Sequence, residues 1–95
     1  MSTEDAQWAV YLTAEKQVPN YIATPSTMKF CVFGECEIKD VGWDIWKGSG
    51  YFDAENLYGA KVRSTWNITC TIKEGIIHMA KLKINDVVVY SDGTQ

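Results

Sequence analysis

The sequence predicts a mostly β fold, a small antiparallel β-sandwich or partly closed barrel of six to seven strands with one short helical turn. Three observations carry this expectation. Residues 61–72 alternate strictly, with Val62, Ser64, Trp66, Ile68, Cys70 and Ile72 against Lys61, Arg63, Thr65, Asn67, Thr69 and Thr71, the period of a half-buried strand. Further β-like runs are joined by turn formers, at Gly34-Glu35, Lys73-Glu74-Gly75 and Asn85-Asp86. No alternation of strands with long helical patterns is visible, which argues against a doubly wound parallel sheet.

In chain order, residues 1–6 are expected to fray. Residues 8–13 place Trp8, Val10 and Leu12 on one side and read as a first strand. Residues 14–27, punctuated by Pro19, Asn20, Pro25 and Ser26, read as the longest irregular connection. Residues 29–33 and 36–41 form an expected hairpin around Gly34-Glu35, in which Phe33 faces Cys36 and Cys31 faces Ile38. Residues 42–52 combine Trp43, Trp46, Tyr51 and Phe52 with Gly48-Ser49-Gly50, which reads as a strand, a glycine-rich turn and a return to the sheet. Residues 53–59 read as the helical turn, capped by Asp53 and ended by Gly59.

Residues 61–84 then form a hairpin with a three-residue loop, Lys73-Glu74-Gly75. This register sets Ile72 opposite Ile76, Cys70 opposite His78, Ile68 opposite Ala80 and Trp66 opposite Leu82, with both apolar sets on one face. After the Asn85-Asp86 turn, residues 87–90 return beside residues 82–84, and residues 91–95 fray.

The length, 95 residues, suits a single domain spanning 1–95. Apolar residues make up 46% of the chain and charged residues 22%, which excludes disorder. Four tryptophans, five tyrosines and three phenylalanines imply either a core built on large rings or a binding surface that uses some of them. A net charge of −3 argues against general nucleic-acid affinity. The charge is uneven, −5 over residues 1–60 and +2 over residues 61–95. No apolar run approaches a membrane span of ~20 residues. The acidic start, Met1 to Asp5, lacks a secretory pattern, so a cytoplasmic protein is expected if Met1 is the natural start, and a secreted one if Met1 replaces a removed signal.

The candidate chemistry is sparse. Cys70 and His78 form the one thiol–imidazole pair the register allows, yet both fall on the apolar face, where a cysteine is an inert small hydrophobe. Cys31 and Cys36 are diagonal neighbours in the expected hairpin, ~7–8 Å apart at the backbone and beyond easy disulfide reach, so reduced cysteines are expected. Glu35, Glu37, Asp40 and Asp44 read as a solvated rim. No phosphate loop, zinc signature or nucleophile elbow occurs, so no catalytic residue, metal site or cofactor is assigned.

Two surfaces remain as binding candidates. In the aromatic segment, a strand through residues 43–46 puts Trp43 inside and Trp46 on the wet side with Asp44, flanked by Lys47 and Tyr51. On the outward face of the long hairpin, Arg63, Lys81 and Lys83 form a basic patch with Lys61, Thr65 and Asn67, near Tyr90. The expected function is non-catalytic binding of another protein, as inhibitor or adaptor. The alternative is a sugar- or small-ligand-binding β module using exposed aromatics, and the least favoured is a thiol enzyme using Cys70 and His78.

Overall fold

In the computed structural model, which describes residues 2–93, the chain is mostly β, with six antiparallel strands in one sheet and one long helix. The helix, α1 (Thr3–Gln17), occupies the segment expected to fray and then form a strand. Ser2 caps it: the Ser2 Oγ accepts the Asp5 backbone N–H at 3.1 Å, and Glu4 and Asp5 sit in the first turn, where acidic side chains favour the helix dipole. Its buried residues are Ala6, Val10, Tyr11 and Ala14, followed by Val18 in the next turn, a helical spacing. Trp8 and Leu12, which suggested alternation with Val10, are about half exposed. The apparent period of two came from the bulky residues alone, whereas the alanines complete the true stripe. Short 3-10 turns at Val18–Tyr21 and Pro25–Thr27 lead into the sheet, so most of the expected irregular connection is ordered.

The strands are β1 (Lys29–Phe30), β2 (Glu37–Gly42), β3 (Ile45–Glu55), β4 (Lys61–Lys73), β5 (Ile76–Ile84) and β6 (Val87–Ser91). The sheet order is β1-β3-β4-β5-β6, with β2 also paired to β3. What covers the sheet is α1, not a second sheet, so the layering is helix on sheet. The expected hairpin of residues 29–41 does not form. Instead β1 and β2 both pair with β3, Phe30 with Phe52 and Ile38 with Gly48, as two pieces of one edge strand interrupted at residues 31–36. A 3-10 turn at Phe33–Glu35 fills the interruption.

Gly48-Ser49-Gly50 is not a turn but the middle of β3, the longest-paired strand beside β4. Its glycines admit the core. A Cβ at Gly48 would lie 3.1 Å from Val10 Cγ1, and one at Gly50 would lie 2.8 Å from both Cys31 Sγ and Trp66 Cζ2. The strand continues through Asp53 to Glu55, so the expected helical turn is absent. Residues 56–60 form a tight connection in which Asn56 Oδ1 accepts the backbone N–H groups of Tyr58 and Ala60.

The hairpin of β4 and β5 forms, but its register differs from the one expected. The loop has two residues, Glu74 and Gly75, both with positive φ, rather than three. Ile72 therefore faces Ile77, and Cys70 faces Met79. A bulge opposite Thr69/Cys70 adds a residue to β5, so that Ile68 pairs with Leu82 and Trp66 with Ile84. One slip at the turn and a second at the bulge cancel in parity. That is why Ala80 and Leu82 keep their expected buried face, while His78, between the two slips, pairs with Thr71 on the opposite one. The Asn85-Asp86 turn and β6 lie as expected, and β6 runs on to Ser91. The ring nitrogen Nε2 of His78 lies 2.6 Å from Asp92 Oδ2, so residues 91–92 are not frayed, while the end of the expected frayed tail, residues 94–95, lies outside the described residues.

Candidate binding face

Because α1 covers one face of the sheet, the other is left to solvent. Along the middle of β3, β4 and β5 the side chains that avoid the core include a set of polar and basic ones, and the pairing brings them into rows. Lys47, Thr69 and Lys81 stand side by side across three strands, and Ser49, Asn67 and Lys83 form the next row. Neighbouring strands are ~4.8 Å apart, so Lys47 and Lys81, on either side of Thr69, are roughly 10 Å from each other at the backbone. Lys47, Thr69, Lys81, Asn67 and Lys83, with Val41, Ile45 and Asp86, line a groove of about 480 Å³. Three lysines against one aspartate make it positive, although the whole chain carries −3. Among the described residues none of the three lysines forms an ion pair.

The β2–β3 turn stands next to this groove. Gly42, Trp43 and Asp44 have φ of 90°, 58° and 61°, all left-handed. Glycine accepts that conformation and aspartate tolerates it, but for a bulky tryptophan it is an outlier. The turn is held nonetheless: Asp40 Oδ1 accepts the Gly42 N–H at 2.8 Å, and the Asp44 carbonyl accepts the Ile72 N–H at 2.9 Å. Trp43 is 94% exposed at the tip, and Val41 beside it is half exposed.

The two tryptophans thus stand opposite to expectation. Trp46 is 8% exposed, paired with Cys70 and packed in the core under α1, and Trp43 is the one in solvent. The expected alternation was counted through residues 43–46 as though they were one strand. The turn occupies residues 43 and 44, and β3 starts its own alternation at Ile45, which puts Trp46 inside and Lys47 outside. Val41-Gly42-Trp43-Asp44-Ile45 did carry a signal for this turn, since glycine and aspartate interrupt an apolar run at its centre.

Asp44 lies in the turn beside Trp43, and Lys47, Lys81 and Lys83 share the groove. Tyr51 and Arg63 sit on the same face of the sheet but are engaged with each other. The Arg63 guanidinium lies 4.0 Å above the Tyr51 ring centroid and grips Asp53 with two hydrogen bonds, Nε to Oδ1 at 2.8 Å and Nη2 to Oδ2 at 3.1 Å. That grip holds the Asp53 carboxyl below its ordinary value. The Tyr51 hydroxyl donates to Glu35 Oε1 at 2.6 Å, which raises its pKa. One face of the Tyr51 ring is covered, and Trp46 is buried on the other face of β3, so Trp43, Trp46 and Tyr51 share no common surface.

Comparison with known proteins gives no match to a family model, to a curated protein or to a solved structure. The chain's own geometry therefore carries the functional reading. Cys70 is fully buried, and burial alone pushes its thiol up to about 12, while His78 faces the other side of the sheet, so the two make no nucleophile–base pair. Among the described residues no three His, Cys, Asp or Glu side chains gather where they could hold a metal ion. No helix among them is long and apolar enough to cross a membrane.

The backbone at Trp43 has a measurable consequence. A two-residue turn with positive φ at both positions favours Asn-Gly. Replacing Trp43→Asn and Asp44→Gly together is expected to stabilise the domain by about 1 kcal/mol, read as a raised urea midpoint at constant slope. An unchanged or lowered midpoint would show that Trp43 makes contacts that compensate for its backbone.

Proposed function

We propose that this chain is a non-catalytic binding protein that acts on another protein, as inhibitor or adaptor, and that it docks an acidic segment of its partner against the Trp43 tip and the lysine groove. The carrying observation is Trp43: a large ring, almost wholly exposed, on a hydrogen-bonded turn whose backbone would be more stable with a smaller residue. Tryptophans of this kind anchor protein interfaces, because a rigid ring buries much area at little entropic cost. Unfavourable backbone conformations tend to be kept where function requires them. The groove supports an acidic partner by charge, since Lys47, Lys81 and Lys83 outnumber the one aspartate there, Asp86, and among the described residues none of the three is ion-paired.

The test compares variants against a partner captured from the native host with the wild-type chain. Trp43→Ala is expected to weaken affinity by about thirtyfold or more, equivalent to ≥2 kcal/mol. Lys81→Glu with Lys83→Glu is expected to weaken it in a strongly salt-dependent way, because rim charges act through screened electrostatics. A partner that binds the Trp43→Ala chain as well as the wild type would refute the anchor. Loss with the lysine variant alone would move the site to the groove by itself.

A further inference from the structure

The interruption between β1 and β2 brings together two cysteines. Cys31 is buried at the end of β1, and Cys36 is half-buried just before β2. Sequence spacing in a regular hairpin keeps their backbones too far apart to bridge, but no such hairpin exists. The 3-10 turn at Phe33–Glu35 folds the chain back on itself, with the Cys36 N–H donating to the Phe33 carbonyl at 3.1 Å, and leaves the two Sγ atoms 2.8 Å apart. That separation lies within about 1 Å of the ~2.05 Å sulfur–sulfur bond.

We propose that Cys31 and Cys36 form a site of reversible disulfide formation that closes the 31–36 segment. The surroundings suit a bond there. Gly50 faces Cys31 Sγ and leaves the sulfur room that any side chain would take. The segment is also the clamp on α1: the Tyr11 hydroxyl donates to the Cys31 carbonyl at 2.6 Å, and Phe33 stacks on Trp8 with centroids 4.3 Å apart. Closing the ring therefore fastens the piece of chain that holds the helix to the sheet. The third cysteine, Cys70, is enclosed in β4 and stays outside the exchange.

The oxidant is a low-molecular-weight disulfide of the glutathione class. The Cys36 thiolate, the more accessible of the two, attacks one sulfur of the oxidant and expels a thiolate that takes up a proton. The Cys31 thiolate then attacks Cys36 Sγ, forms the internal bond and expels the second thiolate, which is protonated in turn. The protein gives up two electrons and two protons, and one disulfide becomes two thiols. Burial and the adjacent Cys31 thiol push the Cys36 thiol up to about 12, so exchange near neutral pH is slow and the reaction must be followed to equilibrium.

The test equilibrates the full chain, folded, with glutathione disulfide, then alkylates free thiols under denaturing conditions. Trypsin cleaves after Lys29 and Lys39 and after Arg63 and Lys73, so residues 30–39 carry both candidate cysteines and residues 64–73 carry Cys70. The expected result is one alkylated thiol per chain, on Cys70, with the 30–39 peptide unalkylated and lighter by two hydrogens. A Cys36→Ser chain is expected to leave both remaining thiols open to alkylation. The proposal is overturned if all three wild-type thiols alkylate, if glutathione remains on Cys36 as the end product, or if the bond joins two chains or involves Cys70.

Discussion

Replacing Trp66→Ala is expected to cost about 3–5 kcal/mol, much of the ~5–15 kcal/mol that holds a domain of this size together. Trp66 has no exposed surface. Its ring stacks on Phe30 at 5.2 Å with an interplanar angle of 17°, and Gly50 lies directly against it. An alanine there leaves a cavity between β1, β3 and β4 that backbone pairing prevents from collapsing. Among the described residues the Trp66 Nε1 has no hydrogen-bond partner, an unpaired buried donor of the kind that costs about 1–3 kcal/mol. Trp66→Phe removes that donor and keeps a ring, so it is expected to cost clearly less than Trp66→Ala. Urea unfolding read by circular dichroism measures both. A loss below about 1 kcal/mol for the alanine variant would contradict the packing described.

The second large effect separates the two neighbouring tryptophans. Trp46→Ala is expected to destabilise the domain by about 3–5 kcal/mol, because Trp46 belongs to the core cluster beneath α1. Trp43→Ala is expected to change stability by less than about 0.5 kcal/mol, because its side chain touches little and alanine is no worse than tryptophan in a left-handed turn. The same substitution three residues apart thus has opposite consequences, one for folding and one for binding. Quenching by acrylamide offers an independent check: removing Trp43 should remove the most quenchable emission. A stable Trp46→Ala chain with an unfolded Trp43→Ala chain would reverse the assignment.

The mostly β, antiparallel character was legible in the sequence, since the twelve alternating residues of β4 admit no other secondary structure. So were the Asn85-Asp86 turn, the buried positions of Trp66, Ile68, Cys70 and Leu82, and the outward rows holding Lys81 and Lys83. Each depends on local chain stereochemistry or on alternation within one strand. Two features depended on contacts between distant segments, and tertiary structure alone decided them. Residues 8–13 suit a strand by their bulky side chains, and become helix because Val10 has a glycine-made recess at Gly48 to enter. Residues 29–41 suit a hairpin, and instead share the edge of β3, which brings Cys31 to Cys36. The exchange of Trp43 and Trp46 is local by contrast: a turn signalled by Gly42 and Asp44 resets the alternation between them. Period and turn chemistry act over a few residues and can be read along the chain. Which apolar surface covers which is a competition among all segments for the same core, and it is resolved only when they pack.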